Sequence, residues 1–244
     1  GTVLPVPEVV KNDPQHKSFT YGSWYCTAVD RKMGDFGLCI HYPFNYHEAN
    51  NVGTLSSFQH RWCDIWVAQT TPMDRGGCFN FGLGNSHSYA LGSTAKYRIV
   101  EVNTNMPRCL GGFEEGIPLD EVDYIIEGSN SPIFATPPSP APNKAEQKIA
   151  EYIVEEIRDG SCIQLGIGAL PNTIGMMLAE SDLKDLGVQS EMFCDAFVAM
   201  YEAGKITNAK KATDRFKSTY TFCLGQQSTY DFIHDNSRLA SCPV

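Results

Sequence analysis

Lysine and arginine are scarce relative to acidic residues in this sequence. The 244 residues include 19 Lys and Arg against 28 Asp and Glu, a formal net charge of −9. Proteins that bind nucleic-acid backbones carry clustered cations that displace counterions, so the charge argues against nucleic acid as a partner. An anionic ligand stays possible, because backbone N–H groups bind anions without cationic side chains.

Long apolar runs are also missing. No run approaches the roughly 20 residues of a membrane helix, and the N-terminus lacks the pattern of a signal peptide. Hydrophobic residues make up 42% of the chain and charged residues 19%, an ordinary globular balance. We therefore predict a soluble protein with no membrane contact. The chain starts at Gly1 and ends on SCPV, which suggests a piece of something longer.

Paired cysteine motifs are a third absence. None of the nine cysteines forms a C-x-x-C pair, and several lie in apolar, strand-like runs. This pattern favours reduced, buried thiols in a reducing compartment, and it predicts a cytoplasmic location. The alternative is a metal site drawn from Cys26, Cys39, His41 and His47. Their spacings match no standard zinc pattern, so we expect no metal.

A proline-rich segment divides the chain. Residues 132–142 are rich in proline, which lacks the backbone N–H that helices and strands need, and this composition is typical of an extended linker. We therefore predict an N-terminal domain at residues 1–131 and a C-terminal domain at residues 143–244.

The C-terminal half begins with a clear helix signal. Asn143 can cap the helix, Glu146 completes a capping box, and Gly160 follows the end. Ile149, Ile153, Val154 and Ile157 are expected to form its buried face. Beyond it, short strands alternate with helices in the order CIQL, TIGMMLAES, LGVQSEM, DAFVAMYEAG, STYTFCLG and STYDFIHDN. Such alternation predicts a parallel, doubly wound sheet, whose ligands bind at the carboxyl ends of the strands.

The first half gives a similar but weaker pattern. CDIWVAQT, RIVEVN and VDYIIEG resemble buried strands, and GNSHSYALGSTAKY predicts a helix between the first two. Residues 1–60 are expected to be mostly loop with some helix. The predicted fold class is α/β, with two similar open α/β domains that contain mainly parallel sheets.

The segment GIGALPN, residues 166–172, joins a predicted strand to a predicted helix. Its two glycines leave backbone N–H groups open to a ligand oxygen. A dinucleotide-binding fingerprint would need a third glycine where Pro171 stands. A plain strand-to-helix turn explains the pattern equally well, and this segment alone does not decide between them.

Glu191 lies at the end of the next predicted strand. It precedes the apolar residues Met192 and Phe193, and no Lys or Arg occurs from Leu186 through Glu202. A surface carboxylate is the ordinary interpretation of a Glu. A desolvated carboxylate without a cationic partner would instead indicate a nucleophile or base. Because both Glu191 and GIGALPN follow strands, we expect them to share one crevice.

Two further loops carry polar groups after strands. One covers residues 71–88 and includes Asn80, Asn85, Ser86 and His87; the other covers residues 101–112. Loops of this kind often carry function, but ordinary surface turns have the same composition. No catalytic-triad sequence signature lies near His87, so we interpret it as a structural histidine.

Taken in order, several long segments resemble the family I coenzyme A transferases, in the branch of butyryl-CoA:acetate and 4-hydroxybutyrate CoA-transferases related to acetyl-CoA hydrolases. The resemblance runs from about Cys63 to Val244. The segments are TPMDRGGCFNFGLGNSHS, VEVNTNMPRCLGG, EVDYIIEGSNSPI, QLGIGALPN, GVQSEMFCDAFVAMYEAGKITNAKK and DNSRLASCPV.

The resemblance implies that Glu191 is the active-site glutamate, which forms an acyl-glutamyl anhydride and then a glutamyl-CoA thioester. It also implies that coenzyme A, a substrate rather than a tightly bound cofactor, contacts the loop of Gly166, Ile167, Gly168, Ala169 and Leu170. The acceptor would be a short-chain carboxylate such as acetate, and the assembly a homodimer. Both predicted domains would then be incomplete CoA-transferase domains.

One position departs from the family pattern. Members usually have His-Thr-Glu-Met or His-Ser-Glu-Met around the nucleophile, whereas Gln189 replaces the His here. An imidazole therefore has no role at that position. Three other functions stay open at this point: an acyl-CoA hydrolase on the same fold, a dinucleotide-binding oxidoreductase, and a non-catalytic binding module.

Overall fold

A computed structural model describes residues 8–13, 15, 17–23, 25–43, 45–49, 63–166 and 168–244. The chain divides into two compact units, residues 1–51 and residues 52–244.

The first unit contains short elements. They are helix α1 (Glu8–Lys11), strand β1 (Gly22–Ser23), helix α2 (Ala28–Asp35), strand β2 (Ile40–His41) and a 3₁₀ helix (Tyr46–Glu48). The two strands are parallel. A capping box of Thr27 and Asp30 starts α2 by satisfying backbone N–H groups of its first turn. Among the described residues of this unit, the loop with some helix predicted from the sequence is confirmed.

The second unit begins with a three-stranded parallel sheet. Its strands lie in the order β3 (Ile65–Thr70), β5 (Tyr97–Val102) and β7 (Tyr124–Glu127), and helix α3 (Ser88–Thr94) precedes β5. An antiparallel pair, β4 (Cys78–Asn80) and β6 (Gly116–Pro118), lies beside it, followed by a 3₁₀ helix at Leu119–Glu121. The predicted strands and the helix between the first two are confirmed.

Only one face of this sheet is buried. Trp66 and Val100 pack with Phe79, Phe81 and Ile117 into a core cluster. The opposite face exposes apolar side chains, namely Ile65, Val67, Tyr97, Tyr124 and Ile126. The prediction of buried strands holds for one face of β3 and β5, where side chains alternate between core and solvent. It is wrong for β7, whose four residues are all exposed.

A second parallel sheet occupies residues 162–241. Its strands are β8 (Cys162–Ile163), β9 (Gly187–Val188), β10 (Met192–Phe193), β11 (Ser218–Tyr220), β12 (Phe222–Cys223) and β13 (Leu239–Ser241). The pairs β8–β9, β10–β12 and β11–β13 are parallel, and a Gln189–Thr219 bridge links β9 to β11. The helices are α4 (Lys144–Glu156), α5 (Ala169–Glu180), α6 (Asp195–Glu202) and α7 (Gln227–Ile233). The predicted α/β class with mainly parallel sheets is confirmed.

Helix α4 confirms its predicted start. The Asn143 side chain accepts from the backbone of Ala145 and Glu146, and the Glu146 carboxylate accepts from the Asn143 N–H at 2.8 Å. Only two of the four residues predicted to form the buried face of α4 pack on the core. Val154 and Ile157 pack on the core beside fully buried Ala150, whereas Ile149 and Ile153 are 44% and 39% exposed. The helix therefore buries a narrower stripe than its apolar residues suggested.

Loops join the two sheets within the second unit. Cys223 N–H donates to the Leu83 carbonyl at 2.8 Å, and Arg108 makes a two-pronged ion pair with Asp235. The proline-rich segment is held as well, since Thr136 N–H donates to Gly225 O and the Tyr230 hydroxyl donates to Phe134 O. The division into two domains at residues 132–142 stays a prediction.

Candidate functional site

Glu191 lies at a backbone bend between β9 and β10. Its neighbours Ser190 and Met192 are 5% and 4% exposed, but the Glu191 side chain itself is exposed. Of the two interpretations that the sequence left open, the surface carboxylate therefore describes Glu191 in this chain. The physical reason is side-chain alternation along a strand, which turns Val188, Ser190 and Met192 inward and Gln189 and Glu191 outward.

The described residues leave the Glu191 carboxylate without a hydrogen-bond or ion-pair partner. The backbone at this position is held instead. The Ser190 N–H donates to the Thr219 carbonyl at 3.0 Å, and the Ser190 hydroxyl donates to the Leu165 carbonyl at 3.4 Å. The carboxylate is thus an open side chain on a fixed peptide.

The strands that precede Glu191 and the glycine loop are neighbours in the sheet. Cys162 pairs with Gly187 and Ile163 with Val188, and the Gln189 N–H donates to the Ile163 carbonyl at 3.2 Å. Adjacent strands lie about 4.8 Å apart. The expectation that the two segments meet at the carboxyl ends of neighbouring strands rests on this register.

Gly168 shapes the loop. It caps the start of α5 with φ of 122° and ψ of 178°, a conformation that L side chains rarely adopt. A Cβ on Gly166 would meet only Pro171 Cγ at 3.9 Å, so the missing side chain leaves the backbone open rather than relieving a clash. The first N–H groups of α5 have no partner inside the helix and favour negative charge.

The loop lines a cleft of about 230 Å³. Its walls include Gly166, Gly168 and Ala169, with Met192 on the neighbouring strand. Leu170 packs on the core instead, Ile167 lies outside the described residues, and Glu191 is adjacent to the lining residue Met192 without lining the cleft itself. A second cleft of about 600 Å³ shares Pro138, Ser139, Asn172 and Asp195 with the first.

Two contributors to the cleft were not identified from the sequence. Residues 136–140, which we interpreted only as linker, form one wall. Asp195 accepts from the Thr229 hydroxyl at 2.6 Å and from the Gln226 N–H at 2.8 Å, so it ties α6 to the start of α7. No sequence pattern indicates either role, because both depend on contacts between distant segments.

His87 is buried, and burial lowers its pKa to about 4. A neutral, buried imidazole at neutral pH fits the structural interpretation of this residue.

All nine cysteines are free thiols, and Cys109 and Cys223 are buried. Cys162 is exposed, so the expectation of buried thiols does not hold throughout. Burial raises the pKa of the Cys194 thiol, which lines the cleft, to about 11. Of the four residues considered as an alternative metal site, Cys26 and His41 meet, with Sγ 3.2 Å from Nδ1. Across the described residues, no three His, Cys, Asp or Glu side chains are placed to hold a metal ion.

Comparison with known proteins decides the family. The profile of the acetyl-CoA hydrolase/transferase N-terminal domain matches residues 7–136, more than half of the chain. The chain belongs to the acetyl-CoA hydrolase/transferase family. The resemblance noted in the sequence is confirmed.

Curated relatives within this family carry CoA-transferase names. The butyryl-CoA:acetate CoA-transferase of Anaerostipes caccae is 43% identical over 100% of this chain and 54% of its own length. A probable butyrate:acetyl-CoA coenzyme A-transferase of Syntrophomonas wolfei is 46% identical over 95% of this chain and 51% of its own length. This acetyl-CoA hydrolase/transferase chain therefore spans about half the length of the curated relatives it matches.

A solved structure agrees with the fold. RipA from Yersinia pestis superposes with a TM-score of 0.83 at 32% identity, over 91% of this chain and 51% of that protein. Within the described residues, no helix has the length and apolar character that membrane crossing requires.

Proposed function

We propose that the protein transfers coenzyme A from a short-chain acyl-CoA, such as butyryl-CoA, to a carboxylate such as acetate, with Glu191 as the nucleophile. The observation that carries the proposal is the position of Glu191 directly before Met192, which lines the same cleft as Gly166 and Gly168 of the glycine loop. The transferase names of the curated relatives support the reaction class.

The proposed reaction proceeds by four exchanges at carbonyl carbons. The Glu191 carboxylate attacks the acyl-CoA thioester, the C–S bond breaks, and an acyl-glutamyl anhydride and CoA thiolate form. The thiolate attacks the glutamyl carbonyl, which releases the first acid as its carboxylate and leaves a glutamyl-CoA thioester. The acceptor carboxylate then displaces the thiolate to give a new anhydride. The thiolate then attacks the acceptor-derived carbonyl carbon of this anhydride, which releases the new acyl-CoA and regenerates the Glu191 carboxylate.

The glycine loop has a defined role in this proposal. Each exchange develops negative charge on a carbonyl oxygen, and preorganised N–H donors stabilise that charge. Gly166, Ile167, Gly168, Ala169 and Leu170 supply the donors and contact CoA, with the positive end of α5 behind them. Pro171 has no N–H to contribute.

Exposure of Glu191 sets a condition on this mechanism. A carboxylate in water is strongly hydrated and a weak nucleophile. Binding of the acyl-CoA must therefore remove water from Glu191 before attack.

The same exposure favours a second candidate, an acyl-CoA hydrolase, in which water attacks the glutamyl-CoA thioester. The two functions differ in their dependence on acceptor. Measurement of CoA release by the full-length protein with and without acetate separates them. Release that is independent of acetate, with no acetyl-CoA formed, contradicts the transferase.

Trapping tests the role of Glu191 directly. Full-length protein is incubated with butyryl-CoA and then borohydride, which reduces a glutamyl thioester to the alcohol, and peptides are analysed by mass spectrometry. We expect the modification on Glu191, and activity of Glu191→Ala below about one thousandth of wild type. Glu180→Gln, an exposed carboxylate at the far end of α5, is the matched control and should keep full activity. An unmodified Glu191 together with an active Glu191→Ala contradicts the proposal.

Homodimer formation and a cytoplasmic location remain predictions. Size-exclusion chromatography with light scattering of the full-length protein tests the first of these.

A further inference from the structure

Thr221 faces Glu191 across the sheet, at a second bend. Gln189 bridges to Thr219, and Met192 pairs with Phe222, so the same offset places Glu191 opposite Thr221. Both Glu191 and Thr221 interrupt their strands at a bend. The two neighbouring strands thus change direction together at the position of the candidate nucleophile.

Three donors converge on the Glu191 carbonyl oxygen at this paired bend. The N–H groups of Thr221 and Phe222 lie 3.0 and 3.2 Å from it, and the Thr221 hydroxyl donates to it at 2.9 Å. A regular parallel ladder supplies one N–H donor to a strand carbonyl. The side-chain donor and the second N–H hold the Glu191 peptide in one orientation, which fixes the direction in which its side chain leaves the backbone.

The other side of Thr221 is held by the loop before α3. The Ser86 N–H donates to the Thr221 carbonyl at 3.0 Å, and the Ser86 hydroxyl donates to the same oxygen at 3.3 Å. Ser86 has φ of 37°, a left-handed conformation that is costly for a residue with a side chain. A strained residue that holds a partner of the candidate nucleophile is typical of a functional site, where strain is retained for positioning.

We propose that Thr221 is a positioning residue for Glu191 and that Ser86 holds Thr221 in place. The inference rests on the proposed role of Glu191 as nucleophile. The Thr221 hydroxyl itself does not contact substrate in this proposal. It acts through the Glu191 peptide, whose misplacement lowers the rate of attack on the thioester more than it weakens binding of acyl-CoA.

Replacement of Thr221 by valine, which has the same shape but no hydroxyl, tests the positioning role. In the full-length protein, we expect Thr221→Val to lower kcat about tenfold while KM for butyryl-CoA stays within about twofold. Thr221→Ser keeps the hydroxyl and should stay within about threefold of wild-type kcat. The yield of borohydride-trapped Glu191 in a fixed short time should fall with Thr221→Val and recover with Thr221→Ser. If Thr221→Val does not fold, Thr221→Ala gives the same comparison.

Thr219→Val is the matched control. Thr219 lies two residues earlier on the same pair of strands, and its hydroxyl accepts from Lys211 Nζ at 3.0 Å instead of contacting Glu191. This variant should lower the melting temperature without changing kcat more than about twofold, because it removes a hydrogen bond of buried Lys211 and leaves the Glu191 peptide unchanged.

Two results overturn the positioning role. One is unchanged kcat in Thr221→Val; the other is equal impairment of Thr221→Val and Thr221→Ser. If Glu191→Ala is inactive in the same assays, either result removes only the role of Thr221 and leaves the nucleophile standing. If Glu191→Ala is active, the proposed function fails and the positioning role fails with it.

Discussion

At the scale of single residues, the site depends on backbone geometry more than on side-chain burial. Glu191 is exposed, and within the described residues its carboxylate has no hydrogen-bond or ion-pair partner. What distinguishes it is a bend opposite Thr221, directly before Met192 in the lining of the cleft. Gln189, the departure from the family pattern, is also exposed on the same strand face, where its side chain can change without disturbing the core.

Gly168 provides a prediction at this scale. Gly168→Ala places a Cβ on a residue with φ of 122°, and we expect it to cost about 1–3 kcal/mol of stability through backbone strain. The added Cβ would approach only Pro171 Cδ at 4.0 Å, so a steric clash is not the cause. Because relief of the strain moves the loop, KM for butyryl-CoA should rise. Urea unfolding and steady-state kinetics measure the two effects.

Gly84→Ala is the control for Gly168. A Cβ there has open space within 4 Å and the backbone is not left-handed. Its stability should stay within about 0.5 kcal/mol of wild type. Equal stability of wild type and Gly168→Ala would show that the loop tolerates a side chain and that its glycine is not required.

At the scale of elements, local signals decide where helices start. The box of Asn143 and Glu146 satisfies the first N–H groups of α4 by side-chain contacts three residues apart, which is why the sequence alone located this helix. Local signals did not decide which face of α4 is buried. Ile149 and Ile153 point away from the core because the neighbouring elements meet the stripe of Ala150, Val154 and Ile157.

The cap of α4 provides a prediction at this scale. Asn143→Ala removes an acceptor that lies 2.9 Å from Ala145 N and 3.0 Å from Glu146 N, and we expect a loss of about 1 kcal/mol. Chemical denaturation measures the change. Gln147→Ala, an exposed position in the next turn, should be neutral or slightly stabilising because Ala has the higher helix propensity. A loss of the same size in both variants would argue against a capping effect.

At the scale of the whole molecule, loops make residues 52–244 one compact unit. Gly112 lies at this junction, where a Cβ would overlap the backbone carbonyl of Ser241 at the end of β13. The close approach of the two backbones couples the first sheet to the second. Glycine is required there because no space remains for a Cβ, and not because the backbone is left-handed.

Gly112→Ala tests the coupling. We expect a loss of about 1–3 kcal/mol, because the backbones must separate to admit the methyl group. If the two sheets unfold together, hydrogen exchange of Val100 in β5 and Val188 in β9 should accelerate by the same factor. Acceleration in only one sheet, or two separate unfolding transitions, would favour independent domains divided at residues 132–142.

The sequence by itself determined the α/β class and the order of strands and helices, while the roles of Glu191 and the glycine loop came from the resemblance to a known family. The class and the order depend on periodicity, caps and motifs, which act between residues close together in the chain. Only the tertiary structure decided that Glu191 is exposed at a paired bend, that residues 136–140 line the cleft, and that Ser86 and Thr221 meet beside Glu191. Burial and contact between distant segments follow from how strands align, and strand register is not encoded in any one segment.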